Sequence, residues 1–517
     1  MEILPRPTGH DDGTGPQMWV DEAIWGHRLY DEQTPWLTMM EFLGVLHAEH
    51  SQGRALRETN LNGLSYRPQQ QLRLRNLLFN NPHIATVRAG DRSDDAMWCT
   101  WLALMRENAG GLDDADFGYL RDRFESFEDF AAIVSFLQSS AIEGASNKRW
   151  SSKFVFPFGP NALYEDANVQ AKGSNVSTDR RFFARTGEVL YLMLCRSARV
   201  DELRRVLVER LFGAKAPYDG LVRVLQGEPQ FARNERAGAY VPCRSHPVFD
   251  RLAEDWLSIL DRDMPIYDAI PHLVTMTGLG LLLYQLRRAS EVLGRDEDTS
   301  LVCEIVSPKR SVVRDLSADS FQRNSALPQE AIERYVRRVA DTPEWSAAAS
   351  SAEPVANTLD LLVAKFDIPD DFIEADEERR TPGDLLETLV EKAISRHKQH
   401  VGKIHGTWAR LIGLSSRRAS RRVRYAPTDR LLKTLVVCCV DVRMEFKDFL
   451  AYLHDRYGIV VGDHQAQKFI SSGEADQEDF SDNARRLEDR LASLGLLKRL
   501  SDSCAYVENP FGRKVTR

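Results

Sequence analysis

Residues 396–424 carry nine Lys or Arg and three His without a single carboxylate. Five of those arginines, Arg417, Arg418, Arg421, Arg422 and Arg424, fall within eight positions. Guanidinium groups so crowded repel one another unless an anion offsets them, and the planar fork of Arg matches phosphate oxygens. The chemistry on offer is therefore electrostatic: neutralising a polyphosphate backbone. Neutralising five phosphates would give log affinity a slope of about −4.5 against log salt. Two plainer roles compete, an arm folded onto the acidic remainder of the protein and a solvated linker.

Reaction chemistry finds no such foothold. The phosphate loop GxxxxGK[ST], the dinucleotide fingerprint, the GxSxG elbow and HExxH are all missing from the sequence. Cys195 lies in an apolar helical stretch and reads as structural. The acidic residues near 369–377 have no Glu-x-Lys partner at nuclease-like spacing. His397, His400 and His405 lack the Cys or carboxylate that would complete a zinc set. No catalytic residue, metal or cofactor is therefore expected. Residues 150–181 give a weaker binding signal. There Lys153, Lys172, Arg180, Arg181 and, just beyond, Arg185 interleave with Phe154, Phe156, Phe158, Phe182 and Phe183. Such a mix suits phosphate contact and base stacking, but aromatics that staple a loop to the core are the stronger reading. An enzyme with a dispersed site near 150–190 is the third-ranked expectation.

Charge is unevenly spread. Of the net −8, residues 392–517 contribute +9 (24 basic, 15 acidic), which leaves −17 for residues 1–391. Such asymmetry points to a polyanion-binding end. The 517 residues, 43% hydrophobic and 28% charged, suffice for several cores. Seven widely spaced Cys with no CxxC pair argue against a disulfide framework and fit a reducing cytosol. The polar start lacks the apolar core of a signal peptide. The most apolar window, 270–286, is short for a membrane span and reads as a buried helix. The expectation is a cytoplasmic protein without membrane contact.

The periodicities give a mainly α, multi-domain helical chain. We divide it into an N-terminal helical domain (1–149), a central mainly helical domain with a long loop (150–340) and a linker with an acidic segment (341–383). A long helix with the basic run (384–427) and a winged-helix-like module (428–517) follow. A helix is expected over 68–79, another starting at Pro328, and a small polar linker at 341–357. Leu386, Val390, Ile394, His397, Val401, Ile404, Trp408 and Leu411 recur at steps of four and three. They predict one helix over 384–413, about 45 Å long, whose stripe packs in cis or on a second copy as a homo-oligomer.

In the last 90 residues the order helix, helix, helix, strand, turn, strand resembles a winged helix. The third helix, capped by Ser481 or Asp482, would enter the major groove of double-stranded DNA with Asn483, Arg485, Arg486 and Arg490 outward. The wing, with Lys498 and Arg499, would touch backbone. The insertion at 462–480 departs from the usual helix-turn-helix.

Two segments, EAIWGHRLYDEQTPWLTMMEFL and RFFARTGEVLYLMLCRS, resemble helical accessory proteins of bacterial anti-phage defence islands, especially modification-linked systems. The resemblance transfers no site residue. It implies a component that acts beside a methyltransferase, ATPase or nuclease encoded elsewhere. The joint expectation is a non-enzymatic DNA-binding subunit of a multi-protein defence assembly, with duplex DNA and other subunits as partners. The alternative is an adaptor with no direct DNA contact.

Overall fold

The computed structural model describes residues 3–4, 19–27, 29, 33–58, 63–71, 83–90, 92–108, 117–141, 165–168, 177–178, 185–213, 219–226, 230–231, 235–295, 299–306, 311–366, 368, 381–417, 422–501 and 504–512. The architecture is mainly helical, as the periodicities required. Helix α1 spans Trp19–Trp25 and α2 spans Pro35–Ser51. The Thr34 hydroxyl caps α2 by accepting from Leu37 N, and Pro35 supplies a preset first turn. Helix α3 (Thr186–Cys195) lies so close to α2 that a Cβ on Gly187 would sit 2.6 Å from Thr38 O. Only glycine fits there.

Helices α4 (Pro247–Leu260) and α5 (Ile266–Leu293) run through the middle. By length and composition α5 could cross a membrane, yet 72% of its apolar window is buried inside the protein. Helix α1 exchanges hydrogen bonds with α5. Trp25 Nε1 donates to Gln285 O at 3.0 Å, Tyr284 Oη to Trp25 O at 3.1 Å, and Arg288 Nε to Ile24 O at 3.1 Å. Those bonds fasten α1 to α5.

Helix α6 (Val312–Arg337) begins at a Ser311 cap and carries Pro328 in its interior, so the expected start at Pro328 is corrected. The stretch expected as a polar linker holds α7 (Pro343–Ala349) and the start of α8 (Pro354–Phe366), and Trp345 is buried. The expected helix over 68–79 is a strand at Gln69–Gln71, and its remainder lies outside the described residues. So does most of the basic-aromatic stretch 150–181.

The long helix is two helices. α9 (Pro382–His400) opens with a capping box between Thr381 and Asp384, and α10 covers Ile404–Leu411. His397 O accepts from both Val401 N and Gly402 N, closing the first helix at 2.8 and 2.7 Å. Leu386, Val390, His397, Val401, Ile404 and Trp408 are all buried, with α9 and α10 packed on α5, α6 and α8 of the same chain and His397 Nδ1 2.7 Å from Asp21 Oδ1 of α1. The apolar stripe is thus covered in cis, the first of the two arrangements expected for it.

Two short strands follow, β2 (Ser415–Ser416) and β3 (Arg424–Tyr425), then α11 (Asp429–Cys439). Strand β4 (Arg443–Glu445) leads into α12 (Phe446–Tyr457), β5 (Ile459–Val460) and the short α13 (Gln467–Ser471). α14 (Gln477–Ser493) precedes β6 (Leu497–Ser501) and β7 (Cys504–Glu508). β4, β7 and β6 form an antiparallel sheet in that order, with Glu445 opposite Tyr506 and Tyr506 opposite Lys498.

Strand β5 does not join that sheet. It pairs in parallel with β1 (Leu301–Val302), far back in the chain. Asn483 of α14 donates to Cys303 O and Val461 O, and its Oδ1 accepts from Ile305 N, all within 2.9 Å. Arg262, buried below α11, donates to Val437 O, Val440 O and Asp441 O, closing that helix's carbonyl end. One apolar cluster accordingly contains Val20, Trp256, Trp408 and Val507 together.

Candidate nucleic-acid interface

The end of the basic run is bracketed by two short antiparallel strands that form a hairpin base. Ser415 faces Tyr425 and Ser416 faces Arg424 in antiparallel register. Below them Ala426 N donates to Leu414 O at 2.9 Å and Thr428 N to Gly413 O at 2.8 Å. Gly413 has φ +81°, and a Cβ there would meet Thr428 Oγ1 at 2.1 Å, so the crossing at the base demands glycine.

Tyr425 is the anchor. Its fully buried ring packs against Phe321 of α6 at 5.1 Å. Asn324 Nδ2 donates to its hydroxyl at 3.0 Å, so the hydroxyl proton is directed to His405 Nε2 at 2.7 Å. Its carbonyl accepts from Ser317 Oγ and from Glu304 N. Burial pushes His405 down to about 4, so the imidazole is neutral at pH 7 and accepts that proton. Arg424 donates from Nε to Glu304, and both side chains are buried. Arg424 is therefore withdrawn from the expected DNA contacts, because its guanidinium is enclosed with a carboxylate and cannot reach a groove.

Arg417 is exposed, and among the described residues no carboxylate pairs with it. Arg422 is exposed and donates to Asp319 of α6 at 2.7 Å. Arg418 and Arg421 lie outside the described residues. Lys398, Lys403 and Arg410, in the same carboxylate-free stretch, are also exposed. They were visible in the sequence as members of the run, but the crowded arginines drew the assignment away from them.

The third helix is differently placed from the expectation. α14 starts at Gln477, not at Ser481 or Asp482, behind an Asp476–Asp479 capping box. Asn483 is buried and structural, not outward. Arg485 and Arg486 lie 3.4 and 3.8 Å from Asp482. Arg490 donates to Asp429 at 2.7 Å and to Pro427 O at 3.2 Å, and Arg499 donates to Glu488 at 2.5 Å. Lys498 is exposed on the sheet. Within α14, Glu478, Asp479, Asp482, Glu488 and Asp489 outnumber Arg485, Arg486 and Arg490. The positive charge thus concentrates on the end of α9, on α10 and on the hairpin, while α14 carries a net negative charge. Among the described residues no group of three His, Cys, Asp or Glu is arranged to hold a metal ion.

Comparison with known proteins adds one finding. Neither the curated proteins nor the solved structures contain a match to this chain. Residues 386–508, from inside α9 to the last residue of β7, match the family model described as methylation-associated defense system protein MAD7, which supports the expected defence-system-linked family.

Proposed function

We propose that this chain is a DNA-engaging accessory subunit of a methylation-associated defence system, meeting the phosphate backbone through the 415–425 hairpin. The observation that carries the reading is the hairpin itself. Its base is locked to α6 and to the Glu304 segment by Tyr425 and Arg424, and it lifts Arg417 and Arg422 to the surface. Exposed Lys403 and Arg410 continue the same charge. A rigidly based cationic loop contacts backbone without reading sequence. Binding rather than catalysis is the role proposed, and other subunits of the system supply any reaction.

The order α11, β4, α12, α14, β6, β7, with the first of the three strands pairing to the last, supports a winged-helix reading of the C-terminal part. Its third helix carries excess carboxylates, so base readout by α14 is not part of the proposal. That acidic face favours a second contact, with a basic surface on a partner subunit. The test is a mobility-shift titration of the full chain on duplex DNA. Arg410→Ala with Arg417→Ala weakens retardation if the hairpin side binds; unchanged retardation sinks the proposal. Charge reversal at Glu478, Asp482 and Asp489 separates the two contacts, since it strips a co-expressed subunit and leaves the duplex bound.

A further inference from the structure

Two carboxylates hold hairpin arginines, and their surroundings differ completely. Glu304 is buried with Arg424. Asp319 meets Arg422 in the open: the two side chains are 50% and 58% exposed, with Nη2 and Oδ1 2.7 Å apart. Asp319 stands on α6 beside the face that grips the hairpin, where Ser317, Phe321 and Asn324 hold Tyr425. One turn further, Arg323 is exposed on the same side of the helix as Asp319. An exposed carboxylate therefore holds Arg422 at the edge of the cationic surface, with the exposed Arg323 one turn along the helix.

Resting on the polyanion-binding reading above, we propose that Asp319 is an intramolecular stand-in for a phosphate: it holds Arg422 against α6 until a nucleic-acid backbone replaces it. The geometry suits an exchange. A carboxylate and a phosphate offer the same paired oxygens to the Arg fork, and a solvent-exposed pair is weak enough to be displaced. The buried Glu304–Arg424 pair does not exchange, so the hairpin base stays fixed while Arg422 changes partner. The device lowers affinity for polyanions in general and so limits idle binding.

The experiment measures anisotropy of a fluorescein-labelled duplex against the full chain and its variants, each checked for an unchanged unfolding temperature. Asp319→Asn tightens binding by roughly two- to five-fold, the range of an exposed ion pair. That gain disappears when Arg422→Ala is added. Asp360→Asn, an exposed carboxylate on α8 that among the described residues holds no hairpin arginine, leaves affinity nearly unchanged. A gain that survives Arg422→Ala, or one that Asp360→Asn reproduces, reflects net charge alone and overturns the latch. Binding weakened by Arg417→Ala but indifferent to Asp319→Asn also overturns the latch while leaving the hairpin reading intact. No binding by the unaltered chain removes both.

Discussion

Arg417 and Arg424 sit seven positions apart in one basic run and do opposite work. Arg424 is enclosed with Glu304, so Arg424→Ala leaves a buried carboxylate without its partner and costs about 3–5 kcal/mol in a denaturant titration. Arg417→Ala, at an exposed position, changes stability by less than about 0.5 kcal/mol and acts on DNA affinity alone. His405 gives a pH signature. Its folded-state value near 4 lies below the ordinary 6.5, so the unfolded chain takes up a proton first as pH falls. The stability it contributes is complete above about 6.5 and is lost as pH drops towards 4. Unfolding temperature accordingly declines across that window, and His405→Gln flattens the decline. The number of arginines was plain in the sequence. Which of them turn inward was not, because Glu304 and Asp319 are more than 100 positions away and nothing local announces them.

Elements show the same division between local and long-range information. Helices α2, α4 and α5 follow apolar periodicity and capping residues that any short window contains. The break at 401–403 was missed because the apolar stripe continues across it, and a stripe reports a shared face rather than an unbroken backbone. Pro328 reads in sequence as a helix start, the commonest helical position of proline; α6 begins sixteen residues earlier and absorbs it. The hairpin around the basic run depends on Gly413 meeting Thr428 and on Tyr425 finding α6, contacts that no alternation pattern encodes. Asn483 stands at i to Leu487 and Leu491 at i+4 and i+8, on the inward face, and only its polarity suggests an outward position. Its burial makes a direct test: Asn483→Leu strands Cys303 O, Val461 O and Ile305 N and costs at least about 2 kcal/mol. A surface Asn would tolerate the change.

At the scale of the whole molecule, the C-terminal elements are tied to the centre of the chain by β1–β5 pairing, by Arg262 and by Asn483. Val302, Val313 and Leu316 share a small core with Val460, Phe469 and Phe480. A fragment covering 428–517 lacks those partners, and we expect it to give poorly dispersed amide NMR spectra, whereas the full chain unfolds with its C-terminal part. The charge asymmetry read from the sequence takes spatial form in the same region, with cations in excess on the end of α9, α10 and the hairpin and carboxylates in excess on α14. The measurement that bears most directly on the account is duplex affinity of the full chain as a function of salt. Replacing Arg410, Arg417 and Arg422 by Ala, one at a time, should make the slope of log affinity against log salt shallower by up to about 0.9 for each phosphate that is no longer neutralised. Slopes that stay where the unaltered chain puts them, or a chain that leaves duplex DNA unbound at low salt, would contradict it.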